Sequence, residues 1–463
     1  MMGTILQIDK LIRHLGKGKH DTGDVIAVLP FSTKPSKEVR DQFFEVLGEL
    51  TRNICGLEFK RKKKKSEDEL SYTSNPVIDQ ILREIEYSPG DEYDLVRFLN
   101  QHLFGQDNQI KITHPYLYNL ISVPEKDVLK KYGHFIHNIL IQDNEEIEAL
   151  FQTKETNDIL TELILSKLEL PRREGGQDKE YQPLFVGFTK LYQDDLLYMS
   201  KHKEYFLSNF PLLTHFYIFM YVCQVIAKFD AFTKANYQTA SPFYFALEWE
   251  SMSKRRKAAE DFDSFRWIKE KASDLFVHVH TMSQLSHIED GENKNIRFHT
   301  YHDLLVLLEK QGEESEQQYL RELKEWIQKY RELFPKRVTE KEEPDTLSAA
   351  FRTLFDSIKQ GMHPDAWEKY GKNIEDLGGQ VFLKNRGNLG TVFNMNHDLL
   401  LLLTAVCVKD KRIPLNKLFD EMSVRGVAFD RHSKKAIIEL FDSLNILDKK
   451  SDSGDAQYVK PIL

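Results

Sequence analysis

The sequence NMNHDLLLLLTAVCV, residues 394–408, contains five consecutive leucines, Leu399–Leu403. A helix over this stretch is apolar on every side, so we expect it to lie in a protein core. It is too short to span a membrane, which takes about 20 apolar residues. The stretch therefore predicts a buried helix, and the elements that follow it decide which fold it belongs to.

Two further helices are predicted after this buried helix. Pro414 suits the first position of the second helix, and Gly426 ends it. Ser433 suits the N-cap of the third helix, which we predict over residues 434–444. Asn445 then supplies a stop, because asparagine tolerates left-handed backbone.

A hairpin completes this C-terminal region. The polar run SDSGD at 451–455 separates two short runs with apolar residues, 446–450 and 456–459, which is typical of a β-hairpin. Three helices followed by a hairpin describe a winged helix, a variant of the helix-turn-helix. We predict this domain at about residues 394–463.

Basic side chains cluster where a winged helix contacts DNA. Residues 381–463 contain 13 Lys and Arg against 10 Asp and Glu, although the whole chain has a net charge of −8. The positive charge is therefore local, and the third helix carries much of it at its N-terminal end. The predicted DNA-binding residues are Arg431, His432, Lys434 and Lys435 on the third helix and Lys449 and Lys450 at the wing.

Acidic residues in the same region leave other roles open. Glu439 and Asp442 lie further along the third helix, and Asp448, Asp452 and Asp455 surround the wing. A wing that follows DNA phosphates would not favour three carboxylates. DNA contact, docking of a partner protein and a purely structural role are all compatible with this pattern.

The C-terminal region resembles the DptG family. The residues that carry the resemblance are RGNLG (386–390), LLLLLTA (399–405), VKD (408–410), RIPL (412–415), RGV (425–427) and LDKKSDSGDAQYVKPIL (447–463). The resemblance covers about residues 381–463. DptG is one of three bacterial proteins of DNA phosphorothioation-dependent restriction, and it is encoded with the ATPases DptF and DptH.

This resemblance implies a function and partners. It implies a cytoplasmic antiviral defence complex that acts on DNA without sulfur in its backbone. DptF-like and DptH-like ATPase subunits would be the partners, together with double-stranded DNA. The family provides no catalytic residues to transfer to this chain.

Composition indicates an ordinary globular protein that is rich in helices. The chain has 463 residues, of which 41% are hydrophobic, with 22 Gly and 15 Pro. Glycine and proline are sparse for this length, which favours helices over turn-rich β folds. We predict a mainly α protein with a multi-helical body, a C-terminal winged helix and a small α/β element near the N-terminus. There VIAVL at 25–29, followed by Pro30, suits either a buried strand or a capped segment.

Three domains are predicted along the chain. The polar segment 171–183 (PRREGGQDKEYQP) contains a Gly pair and is the best candidate for a linker. The predicted domains are a mixed, mostly helical domain at 1–170, a helical domain at 184–345 that ends in a long charged helix, and a C-terminal region at 346–463.

Several features favour a cytoplasmic location without membrane contact. Cys55, Cys223 and Cys407 are few and far apart, which is typical of reduced proteins with buried thiols. Residues 1–12 have no signal-peptide pattern. The segment 211–229 is nearly apolar but includes polar side chains, and we interpret it as a buried core helix.

The sequence contains no nucleotide-binding or nuclease motif that we can identify. GKGKH at 16–20 has neither the spacing nor the Ser or Thr of a phosphate-binding loop. The basic runs KRKKKK (60–65) and KRRK (254–257) each have acidic residues next to them, so we interpret both as solvated surface. We therefore expect a non-catalytic protein without a cofactor or a metal.

Two alternative functions follow from other segments. His278 and His280 would point the same way from a strand, as HxH metal ligands do, which suggests a metal-dependent phosphodiesterase or nuclease. The charged segment 303–345 has an apolar stripe from Leu320 to Leu333 that could pack within the chain or against a partner. In the second case the protein would be a docking scaffold.

Overall fold

The computed structural model describes residues 4–15, 20, 22–34, 37–59, 75–88, 90–106, 108–173, 180–251, 264–288, 295–449 and 457–463. Over these residues the protein is mainly helical, as predicted. The α-helices are α1 (Ile8–Leu15), α2 (Glu38–Asp41), α3 (Phe43–Cys55), α4 (Pro76–Arg83), α5 (Glu92–Leu103), α6 (Asp127–Ile136), α7 (Glu145–Gln152), α8 (Ile159–Ser166), α9 (Val186–Ser200), α10 (Lys203–Asp230), α11 (Phe265–Ala272), α12 (Leu275–Leu285), α13 (Tyr301–Gln311), α14 (Glu313–Leu333), α15 (Leu347–Gly361), α16 (Pro364–Gly371), α17 (Asn373–Phe382), α18 (His397–Val408), α19 (Leu415–Val424) and α20 (Arg431–Ser443). The strands are β1 (Phe243–Leu247), β2 (Leu383–Asn385), β3 (Thr391–Met395), β4 (Ile413–Pro414), β5 (Val427–Ala428), β6 (Leu447–Lys449) and β7 (Gln457–Val459).

The chain divides into two compact units that are not continuous in sequence. The larger unit comprises Met1–Lys37, Glu180–Phe188 and Phe216–Leu463, and the smaller unit comprises Glu38–Lys179 and Thr189–His215. The three sequence domains proposed above stay a prediction.

The smaller unit is built around α3, which packs closely against α6. Gly133 of α6 lies against α3, where a Cβ atom at this position would be 2.8 Å from the Glu49 Cβ. Real side chains do not approach so closely, so glycine is needed for this contact. Gly48 of α3 lies equally close to Ile121, where an added Cβ would be 2.6 Å from the Ile121 Cβ.

The interior of the smaller unit contains a charged pair. Arg52 is only 1% exposed, and its guanidinium donates hydrogen bonds to the Ile121 carbonyl at 2.6 Å and the Asn119 carbonyl at 3.1 Å. It also lies 3.1 Å from the carboxylate of Glu49, which is itself buried. Arg173 contacts the other Glu49 oxygen at 3.3 Å. The buried guanidinium is therefore both hydrogen-bonded and neutralised.

A four-stranded sheet lies in the larger unit, in the order β2-β3-β1-β5. The central strand β1 is parallel to both β3 and β5, and β2 is antiparallel to β3. Phe245 of β1 pairs with Phe393 of β3, and their rings stack with centroids 4.9 Å apart. All five residues of β1 are buried, so this sheet is part of the core.

Helix α14 is docked inside the larger unit. Its buried residues are Tyr319, Leu323, Trp326 and Tyr330. The Trp326 indole donates a hydrogen bond to Gln284 of α12 at 3.0 Å, and α14 also packs against α13 and α15. The apolar stripe therefore packs within the chain, although it runs through Tyr319 rather than Leu320 and Leu333 is exposed.

One helix in the described part of the chain, α10, is long and apolar enough to cross a membrane by length and composition. Within its most apolar window, 89% is buried inside the protein. The segment 211–229 lies in this helix, and its interpretation as a buried core helix is confirmed.

The C-terminal helices and the second sheet follow the predicted order. Helix α18 is buried over most of its leucine run, and Asn396 caps it by accepting a hydrogen bond from the Leu399 N–H at 2.8 Å. Strands β6 and β7 pair antiparallel, as predicted for the hairpin, and β4 joins them in the order β4-β7-β6. Asn445 has a φ of 56°, the left-handed stop expected after the third helix.

The predicted N-terminal strand at 25–29 does not form among the described residues. Val25 and Ala27 each make a single parallel bridge, to Ile296 and Tyr181 respectively. The two partners, Ile296 and Tyr181, belong to different segments of the chain, so the two bridges do not form one continuous ladder.

Candidate nucleic-acid interface

The N-terminal end of α20 is set by Asp430. The Asp430 carboxylate accepts a hydrogen bond from the Ser433 backbone N–H at 2.6 Å, which is the geometry of an N-cap. The helix therefore begins at Arg431, and the prediction that Ser433 caps it was wrong. Both residue types can cap a helix, and Asp430 takes the position because it has extended backbone, two residues after the end of β5.

Three of the predicted DNA-binding residues are exposed at this end of α20. Arg431 and His432 lie in the first turn and Lys435 in the next. Arg431 and Lys435 are four residues apart, so they share one face of the helix. Lys435 and Glu439 are 3.8 Å apart and their side chains are 78% and 68% exposed, so this pair constrains the lysine little.

Lys434 is placed differently from its neighbours. It is half-buried, and its ammonium lies 4.9 Å from the centre of the Phe419 ring on α19. This is the geometry of a cation–π interaction. Lys434 therefore joins α20 to α19 instead of extending fully into solvent.

The wing is described only in part. Lys449 pairs with Gln457 through the backbone, but the Lys449 side chain and all of Lys450 lie outside the described residues. Arg412, which the sequence analysis did not select for DNA contact, lies 2.6 Å from the Asp448 carboxylate and 5.4 Å from the centre of the Tyr458 ring. No local pattern distinguishes Arg412 from other surface arginines.

The first turn of α20 is anchored to the end of β1. Ser433 Oγ donates to the carboxylate of Glu250, with Oγ to oxygen distances of 2.9 and 3.1 Å. Glu250 is buried and lies just beyond the carboxyl end of β1. Because β1 and β5 are parallel neighbours, the residues that follow them meet at the same edge of the sheet. Sequence reasoning missed Glu250, since 183 residues separate the two partners.

Arg386 holds the segment that contains Glu250. Its guanidinium donates to the carbonyls of Leu247, Glu248 and Glu250 at 2.7, 3.2 and 3.1 Å. Arg386 opens the RGNLG stretch, and its backbone N–H donates to the Gly390 carbonyl at 2.8 Å. Gly390 has a φ of 71°, a conformation that favours glycine. This short turn therefore directs the arginine at the end of β1.

The proposed metal pair His278 and His280 lies on a helix. The alternative metal site required a strand here, but residues 275–285 form α12. Residues i and i+2 of a helix are about 200° apart around its axis, so the rings of His278 and His280 do not point the same way. Among the described residues, no cluster of three or more His, Cys, Asp or Glu is arranged to hold a metal ion.

His278 is a core residue. Its Nδ1 lies 3.1 Å from the Tyr301 hydroxyl, and its ring packs 4.4 Å from the Phe355 ring. Burial, followed by the positive charge of Lys359, lowers the pKa of His278 to about 3. The imidazole is therefore neutral at physiological pH.

The cysteines, like His278, are core residues. Cys55, Cys223 and Cys407 are buried free thiols. Burial raises the pKa of Cys55 to about 12 and that of Cys223 well above its usual range. Thiolates are not accessible at either position near neutral pH.

Five segments discussed above lie outside the described residues. They are 16–19 of GKGKH, the basic run at 60–65, residues 174–179 of the predicted linker, the basic run at 254–257 and the predicted turn SDSGD at 451–455.

Comparison of the sequence with models of known protein families and with curated proteins returned no match.

Proposed function

We propose that residues 394–463 form a winged-helix domain that binds duplex DNA through the first two turns of α20. The observation that carries the proposal is the order of elements. A helix (α18), a strand (β4), two helices (α19 and α20) and two strands (β6 and β7) occur in this order, and the three strands form an antiparallel sheet. The two-residue strand β5 lies between α19 and α20 and pairs with β1 of the other sheet. Apart from β5, this order is that of a winged helix, in which the third helix enters the major groove.

The charges on α20 support an orientation for this contact. Arg431, His432 and Lys435 are exposed near its beginning, whereas Glu439 and Asp442 are exposed further along. Phosphates would therefore be attracted to the N-terminal end of the helix and repelled from its C-terminal end. Backbone contacts of this kind position a protein on DNA without reading its sequence.

The wider role that we propose is that of a non-catalytic subunit in a phosphorothioation-dependent restriction complex. The support is the resemblance to the DptG family over about residues 381–463. In this role the chain would place duplex DNA for DptF-like and DptH-like ATPase partners in the cytoplasm. The turn 386–390, which carries part of the resemblance, also holds the segment that anchors α20.

Fluorescence anisotropy of the full-length protein on labelled duplex DNA, across a salt series, tests the DNA contact. The double variant Arg431→Glu, Lys435→Glu should bind more weakly. Its slope of log affinity against log salt should be smaller by about 2, since each lost phosphate contact removes about 0.9 from the slope. Duplexes with and without phosphorothioate in the same experiment would show whether this chain senses the modification.

Lys369→Glu, Lys372→Glu is the matched control. Both lysines are exposed, on α16 and directly after it, outside the proposed domain, and the double replacement makes the same change of charge. Equal binding by the wild type and the Arg431→Glu, Lys435→Glu variant would remove α20 from the DNA contact.

A second candidate is a docking module for a partner protein. The exposed carboxylates of Glu439 and Asp442 on α20 favour it, because they weaken a DNA surface. This candidate requires no DNA binding by the isolated protein at low salt, together with stable co-purification with the ATPase subunits.

A further inference from the structure

An exposed aromatic pair lies beside the proposed DNA contact. Trp249 follows β1, and its ring stacks on the His397 ring of α18 with centroids 4.0 Å apart and an interplanar angle of 24°. Trp249 as a whole residue is still 38% exposed. Part of the tryptophan ring is therefore open to a second flat group.

The backbone that carries Trp249 is held in place. The guanidinium of Arg386 donates to the carbonyls of Leu247, Glu248 and Glu250, on both sides of Trp249. The Glu248 N–H donates to the Met395 carbonyl of β3 at 2.9 Å. Since these bonds fix the turn in advance, a ligand that stacks on Trp249 does not have to order it.

The same turn is joined directly to the basic end of α20. Glu250 follows Trp249 in sequence, and its carboxylate accepts the hydrogen bond from Ser433. Ser433 follows the exposed residues Arg431 and His432, and exposed Lys435 lies two residues later. An aromatic surface and a group of cationic side chains therefore occupy neighbouring positions at one edge of the sheet.

We infer that Trp249 and His397 form a stacking surface for an unpaired base of DNA whose phosphates lie along the first turn of α20. The inference rests on the proposed function, and it names the DNA that the site prefers, a duplex with an unpaired or displaced strand. Aromatic rings beside a basic groove are the means by which proteins bind single strands, because every base has a flat face.

Two exposed carboxylates lie close in sequence to the aromatic pair. Glu248 pairs with Lys384 at 3.3 Å, so its charge is offset. Asp398, on the first turn of α18 next to His397, would repel a phosphate. The cationic side chains at the start of α20 would attract one, so we expect the phosphates of a bound strand to follow α20.

The test compares two labelled DNAs under the same salt conditions, a fully paired duplex and the same duplex with four unpaired bases at its centre. The wild-type protein should bind the second DNA about tenfold more tightly, which is the size expected for one stacked base. Trp249→Leu retains an apolar side chain but has no flat face, so its two affinities should be equal. Trp249→Phe should retain part of the preference.

Phe98→Leu is the matched control. Phe98 of α5 is also exposed and also stacks on a histidine, His102, with centroids 5.9 Å apart. Phe98 belongs to the smaller unit, whereas α20 belongs to the larger one, so its replacement should leave the preference unchanged. Thermal unfolding of each variant shows whether it is folded. If Trp249→Leu does not fold, a reduced preference in Trp249→Phe tests the stacking surface instead.

The outcomes separate this inference from the proposed function. Equal affinity of the wild type for both DNAs, or an unchanged preference in both Trp249 variants, overturns the stacking surface while leaving the α20 contact in place. A preference that depends on Trp249 but not on Arg431 and Lys435 supports base stacking, but it overturns both the proposed α20 contact and the path of the phosphates along α20. Failure to bind either DNA overturns both.

Discussion

Two pairs of opposite charges, one in each unit, differ in what their surroundings allow. Glu49 and Arg52 are buried in the smaller unit, where the arginine also binds two backbone carbonyls. Lys435 and Glu439 are mostly exposed on α20 in the larger unit and lie further apart. A buried charge has lost its water and depends on its protein partners, whereas an exposed charge can exchange its partner for a ligand. The first pair is therefore part of the fold, and the second is available for binding.

The largest effect is expected from removing Glu49. Glu49→Ala leaves the Arg52 guanidinium buried without its counter-ion, which should lower the free energy of unfolding by about 3–5 kcal/mol. Urea denaturation, followed by circular dichroism, measures this. A loss below about 1 kcal/mol would mean that water reaches Arg52, and the contrast between the two pairs would fail.

Histidines extend the comparison to pH. Burial lowers the pKa of His278 to about 3, whereas the unfolded chain has a pKa near 6.5. Below pH 6.5 the unfolded state therefore binds a proton that the folded state does not, so stability decreases as the pH falls from 6.5 toward 3. In His278→Phe the difference in unfolding free energy between pH 7 and pH 4 should be smaller by up to about 3 kcal/mol.

Tyr301→Phe is the control for this pH dependence. It removes the hydroxyl that lies near His278 but keeps the ring buried, and burial is the main cause of the lowered pKa. Its stability should change with pH as in the wild type. If Tyr301→Phe flattens the pH dependence as much as His278→Phe does, the hydrogen bond and not burial accounts for the effect.

The C-terminal elements could be predicted because their signals are local. The leucine run at 399–403, the glycine at 426 and the asparagine at 445 each act on their own segment, and the structure has the expected helices and stop there. The cap of the third helix was predicted wrongly at Ser433. Asp and Ser can both cap a helix, and the extended backbone after β5, which gives the position to Asp430, is a feature of the folded structure.

Other features depend on contacts between distant residues. The alternation of Val and His at 277–280 has the period of a strand, but burial of nearly the whole of α12 among other helices overrides it. Arg386 and Glu250 meet because β1 and β3 are adjacent in the sheet, although 136 residues separate them in the chain. The part of the candidate site on α20 was therefore predicted, because its signals are local in sequence. The part formed by Trp249, Glu250 and Arg386 was missed, because it depends on contacts between distant segments.

The smallest effect is expected from the exposed pair itself, and it sharpens the comparison most. Glu439→Gln removes one charge of an exposed pair that contributes little to stability, so the urea midpoint should stay within the error of the measurement. Under the proposed function, the same change frees Lys435 and removes a charge that repels phosphate. DNA affinity should then increase, by about two- to threefold. Because Gln matches Glu in size, the variant isolates charge from packing. A loss of stability would show that the pair is structural like Glu49 and Arg52, and a loss of DNA affinity would mean that Glu439 faces a partner other than phosphate.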